Sequence, residues 1–215
     1  VHGKPEWEYK ICKYFSTLDM VAITIEYRLA NRFLGITPVE CIKDAKSAIR
    51  WVRKHSTELS IDPNKIVAAG FSAGGHLAAC TAILEGFNEK NEEQNISSIP
   101  NALILWSACV NPVEKDSWFE KILKNQATME ECSPFHNIRS NLPPTILFHG
   151  DLDGTVPILT VKEFTEKMKK FGNRCELNIY QGQVHRPWGK NWKDVYNKME
   201  NFIKSLGFIS KRKNI

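Results

Sequence analysis

A mostly parallel α/β fold with flanking helices follows from three features of the sequence. Short apolar, β-branched runs alternate with longer amphipathic stretches, which is the rhythm of strand and crossover helix. The middle runs, Ile66–Ala69, Ala102–Trp106 and Thr145–His149, are apolar throughout instead of alternating, as strands are when helices cover both faces. A Gly-x-Ser-x-Gly string, Gly70-Phe71-Ser72-Ala73-Gly74, stands between one such run and a helix start. With 215 residues and 42% hydrophobic content, the chain reads as one domain over residues 1–215 with a continuous core.

Taken in chain order, the first element is a helix over about Glu6 to Leu18. Val21 to Tyr27 (VAITIEY) then reads as a strand. Thr37-Pro38-Val39-Glu40 supplies an N-cap, a proline at the first helical position and a capping-box glutamate, so a helix is predicted to start there. Val39, Ile42, Ala45, Ile49 and Val52 recur at spacings of three and four and give that helix one apolar face. After the strand IVAA comes a helix from Gly74 to Leu84, and then a polar stretch, Glu85 to Pro100, that reads as an exposed loop.

Strand ALILW is followed by a long segment, Asn111 to Arg139, expected to lie over the sheet edge and to shape a pocket. Strand TILFH leads to a helix over Leu159 to Phe171. A last strand, Glu176 to Tyr180, leads to a helix over Lys190 to Leu206. The formal charge of +5 is spread along the chain, and the cluster Lys211-Arg212-Lys213 reads as a solvated tail, so nucleic acid is rejected as the main partner. The six cysteines are widely separated and form no C-x-x-C pair, which points to neither a zinc site nor a redox motif. No apolar run approaches the roughly 18 to 20 residues that a membrane-spanning helix needs.

Ser72 carries the chemistry of this reading. A serine on a sharp turn between strand and helix is held at the carboxyl edge of the sheet, and the backbone N–H of the next residue, Ala73, can face a developing oxyanion. A hydroxyl is a weak nucleophile unless a base takes its proton, so a histidine is required, with a carboxylate to orient it. His2, His55, His76 and His136 read as surface or packing residues, and His149 ends a strand but precedes the carboxylates. His185 follows the last strand in Gly182-Gln183-Val184-His185, where a carboxyl-edge loop can return it to the elbow. The acid belongs on the loop after TILFHG, where both Asp151 and Asp153 qualify, and the longer reach before Val156-Pro157 favours Asp153.

GFSAGGH, HGDLDGTVP and the late GQVH, in that order, resemble an α/β-hydrolase of the esterase/lipase type. EYRLANR, TPVECIKDAKSAIRWVRKH and DPNKIVAAGFSAGGHLAA are especially similar to its small carbohydrate-esterase-like branch, related to acetyl xylan and feruloyl esterases. The resemblance implies Ser72 as nucleophile, His185 as base, Asp153 as acid and Ala73 as oxyanion donor. It further implies a small-molecule ester substrate, on short acyl groups including acetylated carbohydrates, and neither a metal nor an organic cofactor.

The chain departs from the pattern in two places. Arg186-Pro187 after the histidine is bulkier than the family's usual small or aromatic residue, and is expected to reshape the pocket. The family also resembles a chain with three strands before VAITIEY, the third leading into a histidine-glycine-rich oxyanion loop. Nothing here matches it, Val1-His2-Gly3 included, so an N-terminally incomplete hydrolase is expected. Such a chain would lack one oxyanion donor and would expose a sheet edge open to self-association. Two other readings share these motifs: a serine peptidase of the prolyl-oligopeptidase kind, which usually carries a large accessory domain, and a non-catalytic ligand-binding relative.

Overall fold

The computed structural model describes residues 3–113, 117–186 and 189–209. His2, Pro187 and the Lys211-Arg212-Lys213 cluster therefore lie outside the described residues. Among the described residues four strands form one sheet in sequential order: β1 (Val67–Phe71), β2 (Ala102–Trp106), β3 (Thr145–Gly150) and β4 (Cys175–Tyr180). All three pairings are parallel, with Phe71 opposite Trp106, Trp106 opposite Phe148, and Gly150 opposite Tyr180. The carboxyl ends of the strands are thereby aligned along one edge, where functional loops of such sheets gather.

The apolar strands are sandwiched as the sequence implies. On one face Leu103, Leu105 and Leu147 pack against α3 (Ala73–Ile83) and α5 (Ile158–Lys170), through Ala79, Ile83, Val161 and Phe164. On the other, Ile104, Trp106, Ile146 and Phe148 meet α1 (Tyr9–Ser16) and α6 (Trp192–Ser205), through Phe15, Val195, Met199 and Phe202. A third layer lies outside α3, where α2 (Pro38–Lys54) and α4 (Trp118–Leu123) join through Val39, Ile42, Leu77 and Ile122. The start of α2 carries the expected capping box, in which the Thr37 side chain accepts from the Val39 N–H and the Glu40 carboxylate from the Thr37 N–H.

Two expectations are corrected. Val21 to Tyr27 forms no strand. It keeps the two-residue alternation, with Val21, Ile23 and Ile25 exposed and Ala22 packed on the core, but no hydrogen-bonded ladder among the described residues joins it to β1. Its end is anchored to a helix instead: the Arg28 N–H and guanidinium both bond the Asp44 carboxylate of α2. Alternation records one face on a core and one in solvent, and a strand needs a partner as well. As a result β1 is an edge strand of the described sheet and is only partly buried, with Ala69 exposed, whereas β2 and β3 are buried throughout.

The described residues of the segment from Asn111 to Arg139 pack on helices and not over a sheet edge. Ile122, Leu123 and Cys132 join the α2–α3 layer, and the Phe135 carbonyl accepts from Lys167 of α5. The loop between α3 and β2 is pinned from α2, where buried Lys46 donates to the Leu84 and Gly86 carbonyls and Arg50 to the Ile96 carbonyl. Among the described residues no helix is long and apolar enough to cross a membrane.

Candidate active site

Three turns meet at the carboxyl edge of the sheet. The first is the one between β1 and α3, which holds Ser72 at φ 52°, ψ −115°. A positive φ is uncommon for a residue with a Cβ and marks strain held by its surroundings. The Ser72 N–H donates to the Trp106 carbonyl at 2.9 Å, and its own carbonyl accepts from the His76 N–H at 3.0 Å. Strand and helix approach so closely that a Cβ on Gly70 would lie 2.6 Å from the Gly75 nitrogen. Gly75 is equally constrained, since its Cβ would lie 2.6 Å from that of Ala108. Gly74, the second glycine of the string, has open space where a Cβ would be, so the tight contact belongs to the residue after the motif.

The second turn follows β3 and carries Asp153, whose side chain is fully buried. Its Oδ1 accepts from the Thr155 and Val156 N–H groups, both at 2.9 Å. Burial alone would push the carboxyl up. The hydrogen bonds from the Val156 N–H, from His185 and from the Thr155 N–H outweigh it and hold the group below the usual carboxylate range.

The third turn follows β4 and carries His185. Gly150 at the end of β3 admits this turn: a Cβ there would sit 2.6 Å from the Gln183 carbonyl carbon and closer still to the Gln183 and Val184 oxygens. The Leu152 N–H donates to the Gln183 carbonyl at 2.9 Å and clips the second and third turns together.

The structure brings Ser72, His185 and Asp153 into one line. His185 Nε2 lies 2.9 Å from Ser72 Oγ, and its Nδ1 lies 2.8 Å from Asp153 Oδ2 and 3.0 Å from Oδ1. Of the two aspartates left open by the sequence, Asp153 is the one on His185. Asp151 sends its N–H to the Tyr180 carbonyl, and its buried Oδ1 has no hydrogen-bond partner among the described residues. Ala73 opens α3, so its N–H is a first-turn donor with no acceptor inside the helix. The site is rimmed by Phe71, whose ring is 4.9 Å from that of His185, and by Arg186, whose guanidinium carbon is 4.9 Å over Phe71. Glu8 faces this cation; burial raises its carboxyl and the Arg186 charge opposes that rise. Exposed Leu152 and Val184 flank the same two turns. A hollow of about 210 Å³ lined by Arg174, Glu176, Asn178 and Lys198 takes no wall from these residues.

Three of the other described histidines, His55, His76 and His136, make no contact with Asp153 or His185 in the hydrogen bonds that hold them. His55 stacks on Trp51 and His136 bonds the Ser133 hydroxyl. His76 is buried between the Cys109 carbonyl and the Cys80 thiol, and burial pushes its imidazole down to about 4. His149, which the chain order sets aside, lies against the far side of Asp153, with Nε2 3.3 Å from Oδ2. The four-residue spacing in HGDLD was the available signal, but a turn has no fixed period to interpret it.

Solved structures place this architecture in the α/β-hydrolase fold. Esterase 2 of Thermogutta terrifontis, phosphoramylated by tabun, superposes with a TM-score of 0.90 over 98% of this chain and 81% of that chain, at 39% identity. Its propionate-bound form gives the same TM-score and identity, with the same coverage of both chains. The chain belongs to the BD-FAE family, whose model matches residues 2–168. Among curated relatives, a probable isoprenylcysteine alpha-carbonyl methylesterase of Arabidopsis thaliana is 29% identical over 85% of this chain and 42% of its own length. An acetylxylan esterase of Xylanibacter ruminicola is 24% identical over 92% of this chain and 42% of its own length. The chain spans less than half the length of these two relatives.

Proposed function

We propose that this chain hydrolyses carboxylic esters by acyl transfer through Ser72. One observation carries the reading: the continuous hydrogen-bonded line from Ser72 Oγ through both ring nitrogens of His185 to Asp153, with contacts of 2.9 and 2.8 Å. Ser72 Oγ attacks the ester carbonyl carbon while His185 Nε2 takes its proton. The tetrahedral oxyanion faces the Ala73 N–H, and a donor in that position contributes about 10²- to 10³-fold in rate. Collapse expels the alcohol, which leaves with the proton from His185, and the acyl group stays on Ser72. Water then repeats the sequence and releases the acid. Asp153 remains ionised throughout, fixes the Nδ1–H tautomer and supports the imidazolium.

Short acyl groups suit this site best, a choice supported by the propionate-bound and butyrate-bound structures of the Thermogutta esterase. The acetylxylan esterase relative supports acetylated carbohydrate as one such ester. The open edge of β1 supports self-association of two copies, which size-exclusion chromatography across a concentration series would reveal.

A fluorophosphonate probe tests the central claim. It should modify Ser72, with the adduct located by mass spectrometry, and Ser72→Ala should abolish both labelling and hydrolysis of a p-nitrophenyl butyrate reporter. Labelling that survives in the variant would remove Ser72 from its role.

A further inference from the structure

The catalytic line leaves one face of Asp153 for another group. His149 on β3 is wholly buried, and its Nε2 lies 2.9 Å from the Val156 carbonyl and 3.3 Å from Asp153 Oδ2. Both neighbours of that nitrogen are acceptors, so it carries a ring proton, and in a neutral ring Nδ1 is then bare. Nδ1 is buried and has no hydrogen-bond partner among the described residues. The Ser107 hydroxyl, at the end of β2 beside β3, is likewise buried without a partner among the described residues, and its backbone N–H donates to Phe148, the residue before His149.

We propose, on the acyl-transfer reading, that His149 is a positioning residue: its Nε2–H, bonded to the Val156 carbonyl, turns the positive edge of the ring toward Asp153 Oδ2 at 3.3 Å and so sets the orientation and basicity of the acid that serves His185. Val156 joins the two groups, since its carbonyl takes the His149 proton and its own N–H donates to Asp153 Oδ1. Asp153 is thus held at Oδ1 by backbone donors, while Oδ2 faces the edge of His149 and bonds His185. The charged and titratable groups facing His149 are Asp153 on the following turn and His185 beyond it. Burial, the larger influence, pushes the imidazole down, in keeping with a neutral donor.

The sign of the effect follows. A positive ring edge facing Oδ2 offsets part of the carboxylate's negative charge, so removing it makes Asp153 the stronger acceptor and stabilises the His185 imidazolium. In His149→Leu the NMR signal of the His185 Nδ1-bound proton should move downfield, as its hydrogen bond to the carboxylate strengthens. The acid limb of kcat/KM should move toward higher pH, and kcat should fall about tenfold with KM little changed, as expected when an orienting contact and not substrate binding is lost. His149→Gln, whose amide nitrogen reaches a similar position, should restore both. Wild-type protein alone gives a second test: nitrogen NMR should find His149 neutral with the proton on Nε2. An Nδ1–H tautomer, an imidazolium at pH 7, or an unshifted His185 in folded His149→Leu would each overturn the proposal. Because the NMR readings need no turnover, a wild-type chain that fails to hydrolyse esters would defeat the functional reading and leave this one to be judged separately.

Discussion

Gly150→Ala tests how the site is assembled without touching a reacting group. The added Cβ would meet the Gln183 carbonyl carbon at 2.6 Å, and ordinary contact begins near 3.4 Å, so the turn that carries His185 must retreat. The retreat is about 1 Å, and a misplacement of that size costs on the order of 10²-fold in rate. His185 Nε2 and Ser72 Oγ start 2.9 Å apart, so the same movement carries them past hydrogen-bonding range. The expected fall in kcat of about 10²-fold is about 2.7 kcal/mol of barrier. Steady-state hydrolysis of p-nitrophenyl butyrate measures it, and the fluorophosphonate labelling rate should fall in parallel. Gly154→Ala is the matched control on the adjacent turn, because a Cβ there meets nothing within 4 Å. If Gly150→Ala folds and keeps kcat within twofold of wild type, the close approach of β3 to the third turn does not position His185.

Three further outcomes are expected. Asp153→Asn should lower kcat by about 10⁴-fold, through loss of the tautomer-fixing carboxylate, while Asp151→Asn changes it by a few-fold at most; steady-state kinetics showing the reverse order would move the acid role to Asp151. Gly75→Ala should destabilise by about 1–3 kcal/mol through overpacking against Ala108, and Gly74→Ala should not, as compared by urea unfolding. His76 has its folded pKa depressed to about 4, so its stabilising contribution is complete above the ordinary 6.5 and is lost as pH falls from there to about 4. His76→Gln should erase that part of the acid-side loss, up to about 3 kcal/mol, and unfolding midpoints that track wild type between pH 6.5 and 4 would rule the contribution out.

The parts of this molecule that could be read from sequence are those whose cause is local. The capping box at Thr37 and Glu40 is complete within four residues, and the elbow needs only a strand, two close glycines and a helix. Val21 to Tyr27 carries a strand's alternation, but pairing is decided by a neighbour, and Arg28 ties the segment to α2. For the aspartates, chain order narrows the choice to two residues, and the geometry of backbone donors separates them. Thr155 and Val156 turn their N–H groups toward Asp153, which makes that position able to hold a buried anion. His149 could not be read at all, because its partners are a carbonyl and a carboxylate brought to it by the turn, with no spacing rule behind them.

Ser72 stands at the end of an edge strand, so pairing on both sides cannot be what holds it at positive φ. The constraint comes from β2 and from α3. Trp106 accepts the Ser72 N–H, and the Ser72 carbonyl accepts from His76 and, at 3.4 Å, from Cys109. Ser107, the next residue along β2, also has positive φ, at 41°, and its N–H is taken by Phe148 of β3. Two neighbouring strands therefore end in strained serines, each fastened to the strand beside it, at a cost of roughly 1–3 kcal/mol apiece. The buried β2–β3 pair can bear this because its side chains are packed on both faces by α3, α5, α1 and α6. The Ser72 hydroxyl is thus placed by the interior of the sheet and presented at its edge, which lets it be rigid and half-exposed together.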